Sequence, residues 1–224
     1  MATYKLNIAR IQGCPPPAEL DKALEAYGLP EDDEFGVLNH SATPQSVFGT
    51  IVRKVQQAVQ RLDREAREVT AQPVEKVQVY PFGIHPKAGT LEVYAGSAAA
   101  IEQIGIFLGG SLALPTVVEA IELDLPGALD KLAQHTEKFQ LKSVRVSDYA
   151  HNSYMSGVYA PKFLDTEHGK EFLEEYAQFL SAASVRFATP MGRTNVHLSP
   201  TACFSYSCHE EDRPPVQSIL RKLI

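Results

Sequence analysis

Short runs of alternating apolar and polar residues, each closed by a turn and followed by helical spacing, constrain this chain more than any other feature. Val77 and Val79 alternate with Lys76 and Gln78, a turn-rich stretch covers 81–89, and Leu91 and Val93 alternate again. A period of two marks half-buried strands, whereas Ile101, Ile104, Phe107 and Leu108 recur at helical spacing. Sixty-seven residues further on, Val144 and Val146 fall at the places of Val77 and Val79, and Val158 at that of Leu91. After a short insertion Leu173, Tyr176, Phe179 and Leu180 repeat the helical set. The reading is a ββα unit present twice, over 76–108 and 143–180. Strands joined by hairpins pair antiparallel, so the expected fold is α+β: one domain over 1–224, a largely antiparallel sheet, helices on one face.

The remaining chain fits that frame. Tyr4, Leu6 and Ile8 alternate as an opening strand, and Leu20, Ala23, Leu24 and Tyr27 line one side of a short helix that Gly28 and Pro30 end. A short strand is expected over 35–39. Ile51, Val55, Ala58, Val59, Leu62, Ala66 and Val69 recur at spacings of three and four, and Thr43-Pro44 resembles a capped start. The spacing predicts a helix over 44–69 with one stripe turned to a core. A strand over 117–123 and a helix over 126–139 follow, then strands around Val185, Val196 and Phe204. A terminal helix begins at Pro214-Pro215.

Composition narrows the function classes. Hydrophobic residues are 44% and charged residues 21%, the range of an ordinary globular chain with a real core. The net charge of −6 excludes a broad basic surface, so contact with nucleic acid would need a local patch. The most apolar stretch, 104–118, is broken by Gly105, Gly109, Gly110, Ser111 and Pro115 and is too short to span a bilayer. The first ten residues lack the apolar core of a signal peptide. Cys14, Cys203 and Cys208 are too few and odd in number for a disulfide framework. A cytoplasmic protein without membrane contact is expected.

Motifs that carry chemistry are scarce. There is no G-x-x-x-x-G-K-[ST] loop and no G-x-S-x-G elbow, and Gly109-Gly110 lacks the strand and third glycine of a dinucleotide fingerprint. His151, Asn152, Ser153 and Tyr154 sit together in one predicted hairpin loop, whereas a triad draws its groups from separate elements. That loop is nonetheless where the two expected repeats differ most. His197, Cys203, Cys208 and His209 are spaced wrongly for a tight zinc turn, and a regular strand would send Cys203 and Cys208 to opposite faces. Glu119, Glu122 and Asp124 with Lys131 form the other acidic candidate, but Glu119 does not share a strand face with the other two. No cofactor and no metal site is expected, and no catalytic residue is assigned.

The basic residues concentrate in one place: Arg53, Lys54, Arg61, Arg64 and Arg67, all on the expected long helix. Such a row suits a phosphate backbone. The interleaved Asp63, Glu65 and Glu68 suit a solvated face better, laced by pairs such as Arg64 with Glu68.

The segment Ala88-Gly89-Thr90-Leu91-Glu92-Val93-Tyr94-Ala95-Gly96-Ser97-Ala98 leads through a helix to Gly110-Ser111-Leu112 and on to Pro115-Thr116-Val117-Val118. Over about thirty residues this order resembles the bacterial recombination-associated RdgC family. The resemblance implies a ring-forming dimer that binds double-stranded DNA without sequence preference. Together these readings make a non-enzymatic binding or assembly protein the leading expectation, nucleic-acid-associated and self-associating or bound to a protein partner. A metal-assisted hydrolase or nuclease is the rival. A subunit of a larger complex, docked through the apolar segment 112–118, is the third.

Overall fold

The computed structural model describes residues 1–63, 67–94, 99–147 and 157–224. The expectation of an α+β fold holds: eleven strands, paired largely antiparallel, and six α-helices occur among the described residues. The loop with His151, Asn152, Ser153 and Tyr154 lies outside the described residues, as does Arg64. The chain divides into two compact units, residues 11–118 and residues 1–10 with 119–224.

In the first of these units, α1 (Pro17–Tyr27) has Pro17 in its first turn, where a missing N–H costs nothing. It ends at Gly28, whose φ of 61° suits glycine and whose N–H reaches the Leu24 carbonyl. β2 (Phe35–Ala42), β3 (Val47–Asp63), β4 (Glu68–His85) and β5 (Thr90–Val93) then form a meander in chain order. α2 (Ala99–Ile106) runs into a π-helical turn at Phe107–Ser111. Val47, Ile51, Tyr80, Phe82, Ile84, Leu91 and Val93 are buried, and the β3–β4–β5 register puts them on one face of the sheet. Phe35 and Tyr27 meet Phe107 at 5.7 and 5.3 Å between ring centroids, closing this core with Leu20, Leu24, Ile101 and Ile104.

The helix expected over 44–69 does not exist. Residues 47–63 are β3, seventeen residues long, paired residue for residue with β4 from Val47↔Ile84 to Asp63↔Glu68. The physical reason lies in the spacing. Ile51, Val55 and Val59 are four apart, and four is a multiple of two as well as close to one helical turn, so they share a strand face equally well. The β-branched content decides the ambiguity: Thr50, Ile51, Val52, Val55 and Val59 lie on β3, and Val69, Thr70, Val74, Val77 and Val79 on its partner β4. Thr43 does cap, but a turn: its Oγ1 accepts from the N–H groups of Gln45 and Ser46 and joins β2 to β3.

The other unit opens with β1 (Ala2–Gln12), of which residues 2–10 belong here. β6 (Val117–Ala120) is shorter than expected and α3 (Leu125–His135) follows. β7 (Gln140–Val146), β8 (Gly157–Tyr159), α4 (Pro161–Leu164), α5 (Glu167–Glu175), β9 (Leu180–Thr189), β10 (Gly192–Leu198), β11 (Cys203–Cys208) and α6 (Arg213–Arg221) complete it. The strand order is β1-β11-β10-β9-β7-β8. Thr166 caps α5 by accepting from the Gly169 N–H at 3.0 Å. Asp212, buried, accepts from Thr189 Oγ1 at 2.7 Å and from the Met191 N–H at 3.1 Å, tying the β9–β10 turn to α6.

The duplicated ββα unit is not confirmed. Val144 and Val146 are buried, but Val77 and Val79 are exposed; Leu91 is buried and Val158 exposed. What the two units do share is element order: α1-β2-β3-β4-β5-α2 in one, and α3-β7-β9-β10-β11-α6 in the other with β8, α4 and α5 between β7 and β9.

Candidate functional site

The β3–β4 hairpin outruns its neighbours. β2 pairs with β3 only as far as Arg53, and β5 pairs with β4 only from Phe82 onward. From Lys54↔Val77 to Asp63↔Glu68, ten residue pairs continue as a two-stranded arm, about 33 Å long at the rise of an antiparallel strand. Arg67, just before β4, takes a left-handed φ of 55°.

The register sorts the arm's side chains into two faces. One face continues the core face and carries Arg53, Val55, Gln57, Val59 and Arg61 opposite Gln78, Lys76, Val74, Gln72 and Thr70. The other carries Lys54, Gln56, Ala58, Gln60 and Leu62 opposite Val77, Glu75, Pro73, Ala71 and Val69. Between residues 53 and 79 there are six basic and four acidic residues, while the whole chain carries 21 and 27. The arm therefore has the opposite sign of charge to the rest of the protein.

The five residues singled out from the sequence do not share one role. Arg53 donates to Glu34 Oε1 at 2.5 Å and lies 5.7 Å over the Phe35 ring, so it locks the β2–β3 root. The Lys54 ammonium donates to the Glu31 and Pro30 carbonyls and holds the acidic turn before β2. Arg61 lies exposed on the arm's polar face and Arg67 exposed at its end. Lys76, Gln72 and Gln78, which no helical reading joins to these arginines, complete that face. Only the strand register brings them together.

A second polar cluster lies at the root, on the face opposite the core. Ser46 Oγ is 2.7 Å from His85 Nδ1, His85 Nε2 is 3.6 Å from Glu92 Oε1, and Tyr94 donates to Glu92 Oε2 at 2.5 Å. Glu92 is only 2% exposed. Gly83 makes room for the rings that cover it: a Cβ there would stand 3.0 Å from the Phe48 ring and 3.1 Å from Tyr94 Oη. Phe48 meets His85 edge-on at 5.6 Å. Serine, histidine and glutamate in this order suggest a nucleophile relay, but the geometry opposes one. His85 and Glu92 are beyond hydrogen-bond distance, Ser46 is buried, and the N–H groups of Gln45 and Ser46 both turn to Thr43 rather than toward an oxyanion. The cluster is a buried polar lock between the β2–β3 turn, β4 and β5. Its members lie up to 48 residues apart in the chain, so no local motif announces it.

The other candidates do not converge. His197 Nδ1 is 2.6 Å from Ser184 Oγ, Cys203 is half-exposed, Cys208 is buried and His209 exposed. Cys203 and Cys208 thus differ in exposure, as the alternation of a strand requires. Glu119, Glu122 and Asp124 are exposed, and Lys131 donates to the Leu223 carbonyl at the end of α6. Among the described residues no three His, Cys, Asp or Glu side chains group as metal ligands. Burial pushes the Cys14 thiol up to about 11, which removes it as a nucleophile near neutral pH. No helix among the described residues is long and apolar enough to cross a membrane. Searches against protein-family models and curated proteins return no match to this chain.

Proposed function

We propose that this chain is a non-enzymatic binding protein that engages nucleic acid through the polar face of the β3–β4 arm. One observation carries the reading: a ribbon ten pairs long places Arg61, Lys76, Gln57, Gln72 and Gln78 on one face, with Arg67 at its end. A two-stranded ribbon fits the major groove, Lys and Arg neutralise phosphates, and glutamine amides hydrogen-bond base edges. The net charge of −6 argues for a small contact of this kind, because a broad footprint would meet repulsion. Arg53 and Lys54 serve the root, so the binding set is redrawn to Arg61, Arg67 and Lys76.

The test is fluorescence anisotropy on labelled duplex DNA and single-stranded RNA at low salt. Wild-type protein should bind. The triple variant Arg61→Glu, Arg67→Glu, Lys76→Glu should lose at least tenfold in affinity, and its salt slope should fall by about three, roughly one for each lost phosphate contact. Wild-type protein that binds neither probe at low salt overturns the reading.

A further inference from the structure

We infer that the open face of the β1-β11-β10-β9-β7 sheet docks the backbone of an RNA duplex. The face belongs to residues 1–10 and 119–224, the unit without the arm, and the inference does not rest on the reading of the arm. This unit carries 13 basic and 14 acidic residues, yet β1, β7, β8, β9, β10 and β11 contain no aspartate or glutamate. Its acids are kept off this sheet, and its cations are not.

The register arranges that charge. Lys5, Ser205, His197, Ser184 and Ser143 form one row across five strands, and Thr3, Ser207, Asn195, Arg186 and Gln140 form the next. Arg145, beside Ala182, and Arg193, beside Ala188, stand on the rows to either side. Four cations thus ring a neutral centre of hydroxyl, amide and imidazole groups. Lys5 and Arg145 are four strand spacings apart, about 19 Å. Lys5, Arg145, Arg193 and His197 are exposed, and Arg186, Asn195, Ser205 and Ser207 are half-buried. Tyr206, Phe204, Phe187, Val196 and Val144 point the other way, into the core. Arg186 Nε donates to Asn195 Oδ1 at 2.7 Å, and His197 Nδ1 lies 2.6 Å from Ser184 Oγ, so neutral partners hold the centre in place. None of the four cations forms an ion pair among the described residues. The face therefore presents a positive potential that its own strands do nothing to neutralise.

Charge and side-chain chemistry select the occupant. Lysine, arginine, serine, threonine, asparagine and glutamine are the side chains that contact phosphate and sugar. Between the four cations stand no aromatic ring and no apolar side chain larger than half-exposed Cys203. A protein partner finds no apolar anchor there, and a single strand finds no platform on which to stack its bases. A duplex needs neither. The grooves of B-DNA are roughly 7.5–8.5 Å deep, so a sheet face, with nothing that projects, meets only their rims. The minor groove of A-form RNA is wide and shallow and displays 2′-hydroxyls. Phosphates of the two strands reach the ring of cations. The 2′-hydroxyls, donors and acceptors at once, meet Ser205, Ser207 and Asn195, which are also both.

Fluorescence anisotropy of the full chain with labelled duplexes tests this. Wild-type protein should bind an RNA duplex at least tenfold more tightly than a DNA duplex of the same sequence or either RNA strand alone. The triple variant Lys5→Gln, Arg145→Gln, Arg193→Gln should lose that binding at least tenfold with circular dichroism unchanged. Ser205→Ala with Ser207→Ala should narrow the preference for RNA while leaving DNA affinity in place. Equal affinity for the RNA and DNA duplexes, no binding of the RNA duplex, or its displacement by polyglutamate at equal charge overturns the inference. So does loss of RNA-duplex binding in the Arg61→Glu, Arg67→Glu, Lys76→Glu variant with retention in the sheet variant. The opposite pattern supports the sheet face and counts against the arm alone.

Discussion

The root and the arm are built from the same two strands, yet they meet opposite environments. At the root, Phe82 lies across Gly49, where a Cβ would stand 2.8 Å from its ring, and Val47, Ile51 and Ile84 are buried around it. Beyond Arg53 the ladder continues without interruption, but β2 and β5 have stopped and the side chains face water. Pairing alone thus does not distinguish the two regions; burial does. The root holds the register, and the arm inherits it.

Substitutions along the hairpin should reveal this gradient. Phe82→Ala removes a buried ring from the root and should cost about 3–5 kcal/mol, read as a shift of the chemical-denaturation midpoint. An effect below 1 kcal/mol would mean the root is not the hairpin's anchor. Glu92→Ala leaves Tyr94 and His85 without their shared carboxylate and should cost about 1–3 kcal/mol by the same assay. If the loss instead reached the Phe82→Ala value, the polar lock would rank with the core. Leu62→Ala, far out on the arm, should change stability by less than about 0.5 kcal/mol. A large loss there would show that the arm packs against something.

Much of the α+β architecture was legible because local signals agreed. Gly28 and the proline starts marked helix ends, and alternation at Phe204, Tyr206 and Cys208 marked a strand whose inward residues are buried. The helical expectation failed because valines spaced by four satisfy both periods, and an arm with no buried side chain among its described residues has no burial pattern to correct the choice. The repeat failed for a related reason. Val77 and Val79 alternate as Val144 and Val146 do, but alternation reports pairing, not whether anything covers the strand. The site was half legible: clustering of Arg61 and Arg67 was visible, while Lys76, Gln72 and Gln78 joined them only through the register of a partner strand.

By itself the sequence determined composition, charge, the placement of most turns and helix ends, and the concentration of cations between residues 53 and 67, since these depend on residue type and near neighbours. Only the tertiary structure decided that residues 53–63 are a strand, that residues 68–85 are its partner, and that both outrun the sheet. Those outcomes depend on where neighbouring strands stop, and cross-strand pairing couples residues such as Val47 and Ile84 that no local period relates.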